Sequence, residues 1–195
     1  MFCGMALSKI LDEEKFIDIE KQIIYFEDNL RKWFLNVKIQ TKIRKLASTL
    51  MNKDHLFVLG RGNLYSASLE SALKIKEISY IHAEGFSGGE LKHGVIALIE
   101  KGTPVLCLVA EDENKANMLN AIAEVNARGG NTIVVAGKGN ELYKEWIGVP
   151  EEGVSADFMT LSSIVPSQLL TCYMAKAKGY DVDKPRNLAK SVTVK

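Results

Sequence analysis

Glycine and proline are missing from residue 5 to residue 59. Without either, nothing in that stretch stops a helix or forces a tight turn, so a helical lead-in is expected. Excess charge is missing as well: 25 Lys and Arg stand against 24 Asp and Glu, a formal net of +1. That balance argues against nucleic acid or an anionic membrane surface as the main partner. No apolar run approaches the ~20 residues needed to cross a bilayer, the longest being Pro104-Val-Leu-Cys-Leu-Val-Ala110. The first residues, Met1-Phe-Cys-Gly-Met-Ala-Leu7, lack the basic start and cleavage site of a secretory leader. Cysteine is scarce: Cys3, Cys107 and Cys172 are odd in number and widely spaced. Two of them sit in apolar segments, which reads as buried free thiols in a reducing, cytoplasmic compartment. Low-complexity segments and internal repeats are absent.

What is present divides near His55. Before it, Phe16, Ile19, Ile23, Phe26, Leu30 and Phe34 recur at steps of three and four, the mark of a helix with one apolar stripe. Ile39, Ile43, Leu46 and Leu50 continue the pattern after a break near Asn36. Residues 1–11 are apolar on most sides and read as a helix whose partner lies upstream. After His55 the pattern becomes strand, glycine turn, helix. Strands are expected at 56–59, 105–109, 132–136 and 146–149, with helices at 64–80, 114–127 and 161–178, the last stopped by Gly179. Apolar strands alternating with helices define an α/β chain, with a parallel sheet covered on both faces. A chain of 195 residues is one domain, or one domain with an appendage.

Three places carry chemistry. Gly60-Arg61-Gly62 follows a strand and opens a helix, so it is either a phosphate cradle or a plain tight turn. Tyr65 stands where a dinucleotide fingerprint needs its third glycine. The next strand runs into Glu111-Asp112-Glu113, which would repel a phosphoryl group. The densest segment is 73–94. Lys74 and Glu77 are three apart on a helix and share a face; a neighbouring cation favours a carboxylate able to accept a proton. The same spacing also describes a solvated surface pair. Gly85, Gly88 and Gly89 read as a flexible turn, followed by Glu90, Lys92 and His93. Finally, Pro185 launches a directed C-terminal segment with two cations, Arg186 and Lys190, and an alternating Val192/Val194 end.

Lys74-Ile-Lys-Glu77-Ile-Ser-Tyr-Ile-His-Ala-Glu84, Gly89-Glu-Leu-Lys-His-Gly94 and Asp181-Val-Asp-Lys-Pro-Arg-Asn-Leu-Ala-Lys-Ser-Val-Thr-Val194 together resemble the isomerase part of the glutamine–fructose-6-phosphate aminotransferases. The match is to the second of two sugar-isomerase (SIS) domains and the helices leading into it. The resemblance implies a doubly wound, flavodoxin-like three-layer sandwich with a five-stranded parallel sheet, preceded by long helices. It divides the chain into a lead-in at 1–54, a SIS domain at 55–180 and an active-site tail at 181–195. It implies fructose 6-phosphate and glucosamine 6-phosphate as ligands. Glu77 matches the base that moves a proton between C1 and C2, and Lys74 the lysine beside it. His93 matches the ring-opening histidine that reaches a neighbouring subunit's site. Lys190 matches the tail lysine that forms an imine with the ketose, and Ala189 sits beside the sugar.

No cofactor and no metal is called for. The glutaminase domain and the first SIS domain, with its phosphate-holding loop, have no counterpart in these residues. The expectation is therefore a chain that begins partway through a larger architecture and has low or no activity alone. A homodimer, or a complex with a first-SIS-domain chain, would complete it. A non-catalytic SIS module that binds a phosphosugar or a partner protein is the other reading of the same motifs.

Overall fold

The computed structural model describes residues 13–150 and 156–188. The expected helix at residues 1–11, and Ala189 and Lys190, lie outside the described residues. Two helices lead in, α1 (Glu13–Phe34) and α2 (Val37–Leu50). Asn36 separates them by capping α2, its side chain accepting from the backbone N–H groups of Lys38 and Ile39 at 3.0 and 3.4 Å. Five strands follow: β1 (His55–Gly60), β2 (His82–Ser87), β3 (Pro104–Leu108), β4 (Asn131–Ala136) and β5 (Glu145–Gly148). All pair in parallel in the order β2-β1-β3-β4-β5. Three further helices are α3 (Asn63–Lys74), α4 (Lys115–Ala127) and α5 (Ala156–Ala177). This is the doubly wound α/β sandwich expected from the alternating pattern.

Strand alternation sorts the core into two layers. Leu56 and Val58 of β1 join Leu106, Leu108, Ile133 and Val135 beneath α2, α3 and α5. Phe57 and Leu59 turn the other way, with Val105, Cys107 and Val134, onto Met118, Ile122 and Val125 of α4. Burial of Cys107 pushes its thiol well above the ordinary range. Cys172 is also a free thiol but only half-buried, so the reading of two sequestered thiols holds for Cys107 alone.

The lead-in helix departs from the stripe read in its sequence. Phe26 is buried, and Ile19 and Leu30 are half-buried, but Ile23 and Phe34 are exposed. The anchor is Trp33, buried in the core, whose indole N–H donates to the carbonyl of Gly148 at 2.5 Å. Phe26 stacks on Phe158 of α5 with ring centroids 5.3 Å apart. Because α1 meets the sheet at its last strand, the face it buries is set by that contact rather than by its own periodicity. Among the described residues no helix is long and apolar enough to cross a membrane.

The stretch read as a flexible turn, Gly85 to Gly89, overlaps β2, the edge strand, in which Gly85 lies. Only Ala83 of His-Ala-Glu-Gly-Phe-Ser is fully buried, so its apolar signal is faint. Gly85 is fixed by packing: a Cβ there would lie 2.9 Å from the Cα and N of Leu69 on α3. Gly85→Val should therefore force β2 and α3 apart, at a cost of about 1–3 kcal/mol, read as a lower urea midpoint.

Candidate functional site

The crossover α3 runs from the carboxyl edge of the sheet back towards the amino end of β2. Its last turn does not stay α-helical. Residues Ile75–Ser79 widen into one π-helical turn, and Tyr80 closes it in the left-handed region at φ 58° and ψ 22°. Single π turns recur at functional sites because they redirect one side chain without breaking the helix. Glu77 is the middle residue of this turn. Lys74 Nζ donates to its carboxylate at 2.7 Å and lies 3.5 Å from Glu70. The hydrogen bond to Glu77 holds the Lys74 ammonium above its ordinary value of 10.5 against the opposing effect of burial, and the charge of Glu70 adds a further, smaller contribution.

The pair is 33% and 28% exposed. At that exposure an ion pair contributes only about 0.5 kcal/mol to stability, so its main consequence is orientation. One carboxylate oxygen is held by the ammonium, which leaves the other to accept a proton. Lys74, protonated, is no nucleophile, because imine formation requires a neutral amine.

His93 lies elsewhere. It ends the 3₁₀ turn Glu90–His93, beyond the carboxyl end of β2. Leu91 buries that turn in the α4-side core, and Lys92 pairs with Glu124 of α4 at 2.7 Å. Glu77 precedes β2 on the α5 side and His93 follows it on the α4 side. The six residues of β2 alone put about 17 Å between the two ends. Within one chain the fold brings Lys74 to Glu77 and keeps His93, which is exposed, away from both.

The tail returns to Tyr80, the residue that closes the turn carrying Glu77. Gly179, at φ 76°, ends α5, and the chain then passes beside Tyr80. The backbone N–H of Arg186 donates to the Tyr80 hydroxyl at 2.8 Å, and its guanidinium lies 4.0 Å from the Tyr80 ring centroid. Neither Tyr80 nor this contact was signalled by sequence spacing, since 106 residues separate the partners.

At the carboxyl edge, the Gly60-Arg61-Gly62 turn is packed against its own surroundings. A Cβ at Gly60 would lie 2.0 Å from the carbonyl oxygen of Leu64, and one at Gly62 2.6 Å from the Asn114 amide. These close approaches account for both glycines as tight-turn residues. In the acidic turn that follows β3, Glu111 pairs with Lys115 at 2.5 Å, and Asp112 accepts from the Asn114 N–H at 2.8 Å. A polar groove of about 270 Å³ opens at the amino ends of β1 and β3, lined by Lys53, His55, Lys101 and Thr103 among others. It includes none of the candidate residues. Among the described residues no group of three or more His, Cys, Asp or Glu could hold a metal ion.

A five-stranded parallel 2-1-3-4-5 sheet with helices on both faces is the architecture of a phosphosugar-isomerase-type α/β domain. The SIS domain family matches residues 49–175, and the chain belongs to it. It is 43% identical, over 99% of its length, to a glutamine–fructose-6-phosphate aminotransferase (isomerizing) of Clostridium perfringens, covering 32% of that protein. It is 51% identical over 71% of its length to the Bacillus subtilis protein of the same name, covering 23% of it. The chain thus spans a third or less of the length of these curated relatives. Among solved structures, the C-terminal domain of the Francisella tularensis glucosamine-fructose-6-phosphate aminotransferase superposes with a TM-score of 0.74 at 30% identity. That match covers 89% of this chain and 49% of the other. A glucosamine-6-phosphate deaminase of Thermotoga maritima gives 0.62 at 27% identity, covering 93% and 50%. The chain is homologous to the C-terminal isomerase part of the aminotransferases.

The raised Lys74 value has a definite sign. Stability contributed by its ammonium is fully present below pH 10.5 and is lost only as pH rises through the higher folded value. Glu77→Gln should bring the Lys74 titration, followed by side-chain NMR, back down towards its ordinary position.

Proposed function

We propose that this chain is the isomerase portion of a glutamine–fructose-6-phosphate aminotransferase, with Glu77 as the base of a ketose-to-aldose proton transfer. The observation that carries this reading is the Lys74–Glu77 contact at 2.7 Å on the π turn, beside the root of the tail. In the reaction, the amine of Lys190 adds to C2 of open-chain fructose 6-phosphate and water leaves, forming an imine. Ammonia then displaces the lysine. Glu77 removes a proton from C1, the C–H electron pair forms the C1=C2 bond, and the C=N pair moves onto nitrogen, which takes up a proton to give the enolamine. Return of a proton to C2, with loss of the C1 hydroxyl proton, leaves an aldehyde at C1 and an amine at C2, which is glucosamine 6-phosphate. A positioned carboxylate supplies about 10²–10⁴-fold in such a step, and an imine is the better electron sink. Ala189 lies next to Lys190 in sequence and lines the sugar. Residues 181–195 form the active-site tail, 55–180 the SIS domain and 1–54 the lead-in. The reaction takes place in the cytoplasm.

The distance between Glu77 and His93 along and across the sheet supports a site assembled from two copies, with His93 of a second chain opening the sugar ring. The acidic turn at Glu111–Glu113 supports phosphate binding by a separate first SIS domain, so the isolated chain should turn over poorly. The apolar face left on α1, with Ile17 41% and Ile24 61% exposed, supports association with another chain.

Supplied with a first SIS domain in trans, the chain should isomerise fructose 6-phosphate, and Glu77→Gln should reduce the rate by about 10²-fold or more. Undiminished turnover in that variant would favour the non-catalytic module. Glu77→Gln and His93→Asn proteins, each inactive, should recover about a quarter of wild-type activity when mixed and re-associated, because half the dimers are mixed and each holds one intact site. Failure of the mixture to recover would mean that each site uses residues of a single copy.

A further inference from the structure

Tyr80 and Asn187 are the two non-glycine residues in the left-handed region among those described, at φ 58° and 63°. They sit on either side of one contact. Tyr80 ends the π turn that carries Glu77, and Asn187 follows the residue bound to it. A tyrosine is unfavourable in that conformation, and persists where the surroundings over-determine it. Its surroundings do so. The Tyr80 ring is covered by the Arg186 guanidinium at 4.0 Å, and its hydroxyl accepts from the Arg186 N–H at 2.8 Å. Tyr180 packs against it at 4.8 Å between centroids, and the Lys178 ammonium lies 5.5 Å from the Tyr180 ring. One side chain therefore grips both the backbone and the head group of the same tail residue, which fixes the tail's position and its heading together.

We propose that Tyr80 is the positioning residue of the C-terminal tail, holding its root at Arg186 three residues along the chain from Glu77. The inference rests on the reading of Lys190 as the imine-forming amine. Lys190 is four residues on from Arg186, so its backbone is tethered within about 14 Å of the anchor. Without the anchor, the tethering point moves back to Gly179 and the lysine samples a much larger volume. The contact gives the tail a fixed root on the turn that carries the proposed base. Proximity of this kind acts on the rate of the chemical step more than on sugar affinity.

Two readouts on the full chain separate anchoring from chemistry. The first is hydrogen exchange at the Arg186 amide. Tyr80→Phe keeps the ring and removes the acceptor, and should accelerate exchange there about 5-fold. Tyr80→Ala should deprotect the whole 181–188 segment, with the Ala72 and Ile75 amides unchanged as a check on folding. The second is borohydride trapping of fructose 6-phosphate on Lys190, read by peptide mass. Tyr80→Ala should slow trapping about 10-fold while the half-saturating sugar concentration stays within about 2-fold, with Tyr80→Phe in between. Unchanged exchange at Arg186 in both variants would overturn the proposal, as would equal trapping rates once the tail is freed. If wild-type chain traps no sugar while Tyr80→Phe still deprotects Arg186, the anchor stands and the imine-forming function is what fails.

Discussion

An all-parallel sheet must return its chain from the carboxyl edge to the amino edge between neighbouring strands, and must cover both faces in doing so. Most of what distinguishes this molecule follows from that constraint. The crossover from β1 to β2 ends at the amino edge, which is where Glu77 is delivered. The chain leaving β2 is at the opposite edge and crosses to the other face, which is where His93 is delivered. Two residues sixteen apart in sequence are thereby separated by the length of a strand and the thickness of a sheet. No adjustment of side chains can reunite them. A chemistry that uses both has to draw them from different copies of the fold.

The electrostatics at the Glu77 end are modest in energy and specific in geometry. A partly exposed pair adds little to the folding free energy, yet the ammonium defines which carboxylate oxygen is occupied. Lys74, as an ammonium, cannot attack a carbonyl, so the proposed imine chemistry needs an amine outside this hydrogen bond. The residue that closes the turn, Tyr80, holds Arg186, so Glu77 and the contact with the tail share one piece of backbone. A buried hydroxyl supports the turn from within: Ser79 Oγ donates to the carbonyl of Ile75 at 2.6 Å.

Sequence patterning recovered the elements whose residues face apolar layers. β1, β3 and β4 are runs of buried aliphatic residues, and α2 shows its buried stripe of Ile43, Leu46 and Leu50 openly. β2 was illegible because an edge strand under a helix needs one buried alanine and one glycine, not an apolar run. The face of α1 was misread because Trp33, bonded to β5 115 residues away, outweighs the local stripe. At the site, the Lys74–Glu77 spacing was readable from helix geometry. The π turn was not, since nothing in Ile-Lys-Glu-Ile-Ser distinguishes it from an α turn. Nor was the Tyr80–Arg186 contact, which exists only once α3 and α5 are packed. The roles of Lys190 and Ala189 came from family likeness alone, and both residues lie outside the described structure.

The π turn has one more consequence, for how the helix tolerates insertions and deletions. A π turn is an α-helix carrying one surplus residue, so the ladder after it is offset by one position. Deleting a single residue from Ile75–Ser79 would let the helix regularise without harm to its hydrogen bonding. The surplus residue is what the wide turn absorbs, so the chain beyond it would keep its heading into β2. Losing Ile75 or Lys76, however, would leave the lysine and the carboxylate two apart, a spacing that does not share a helix face. Length variation here is thus tolerable to the fold and ruinous to the ion pair.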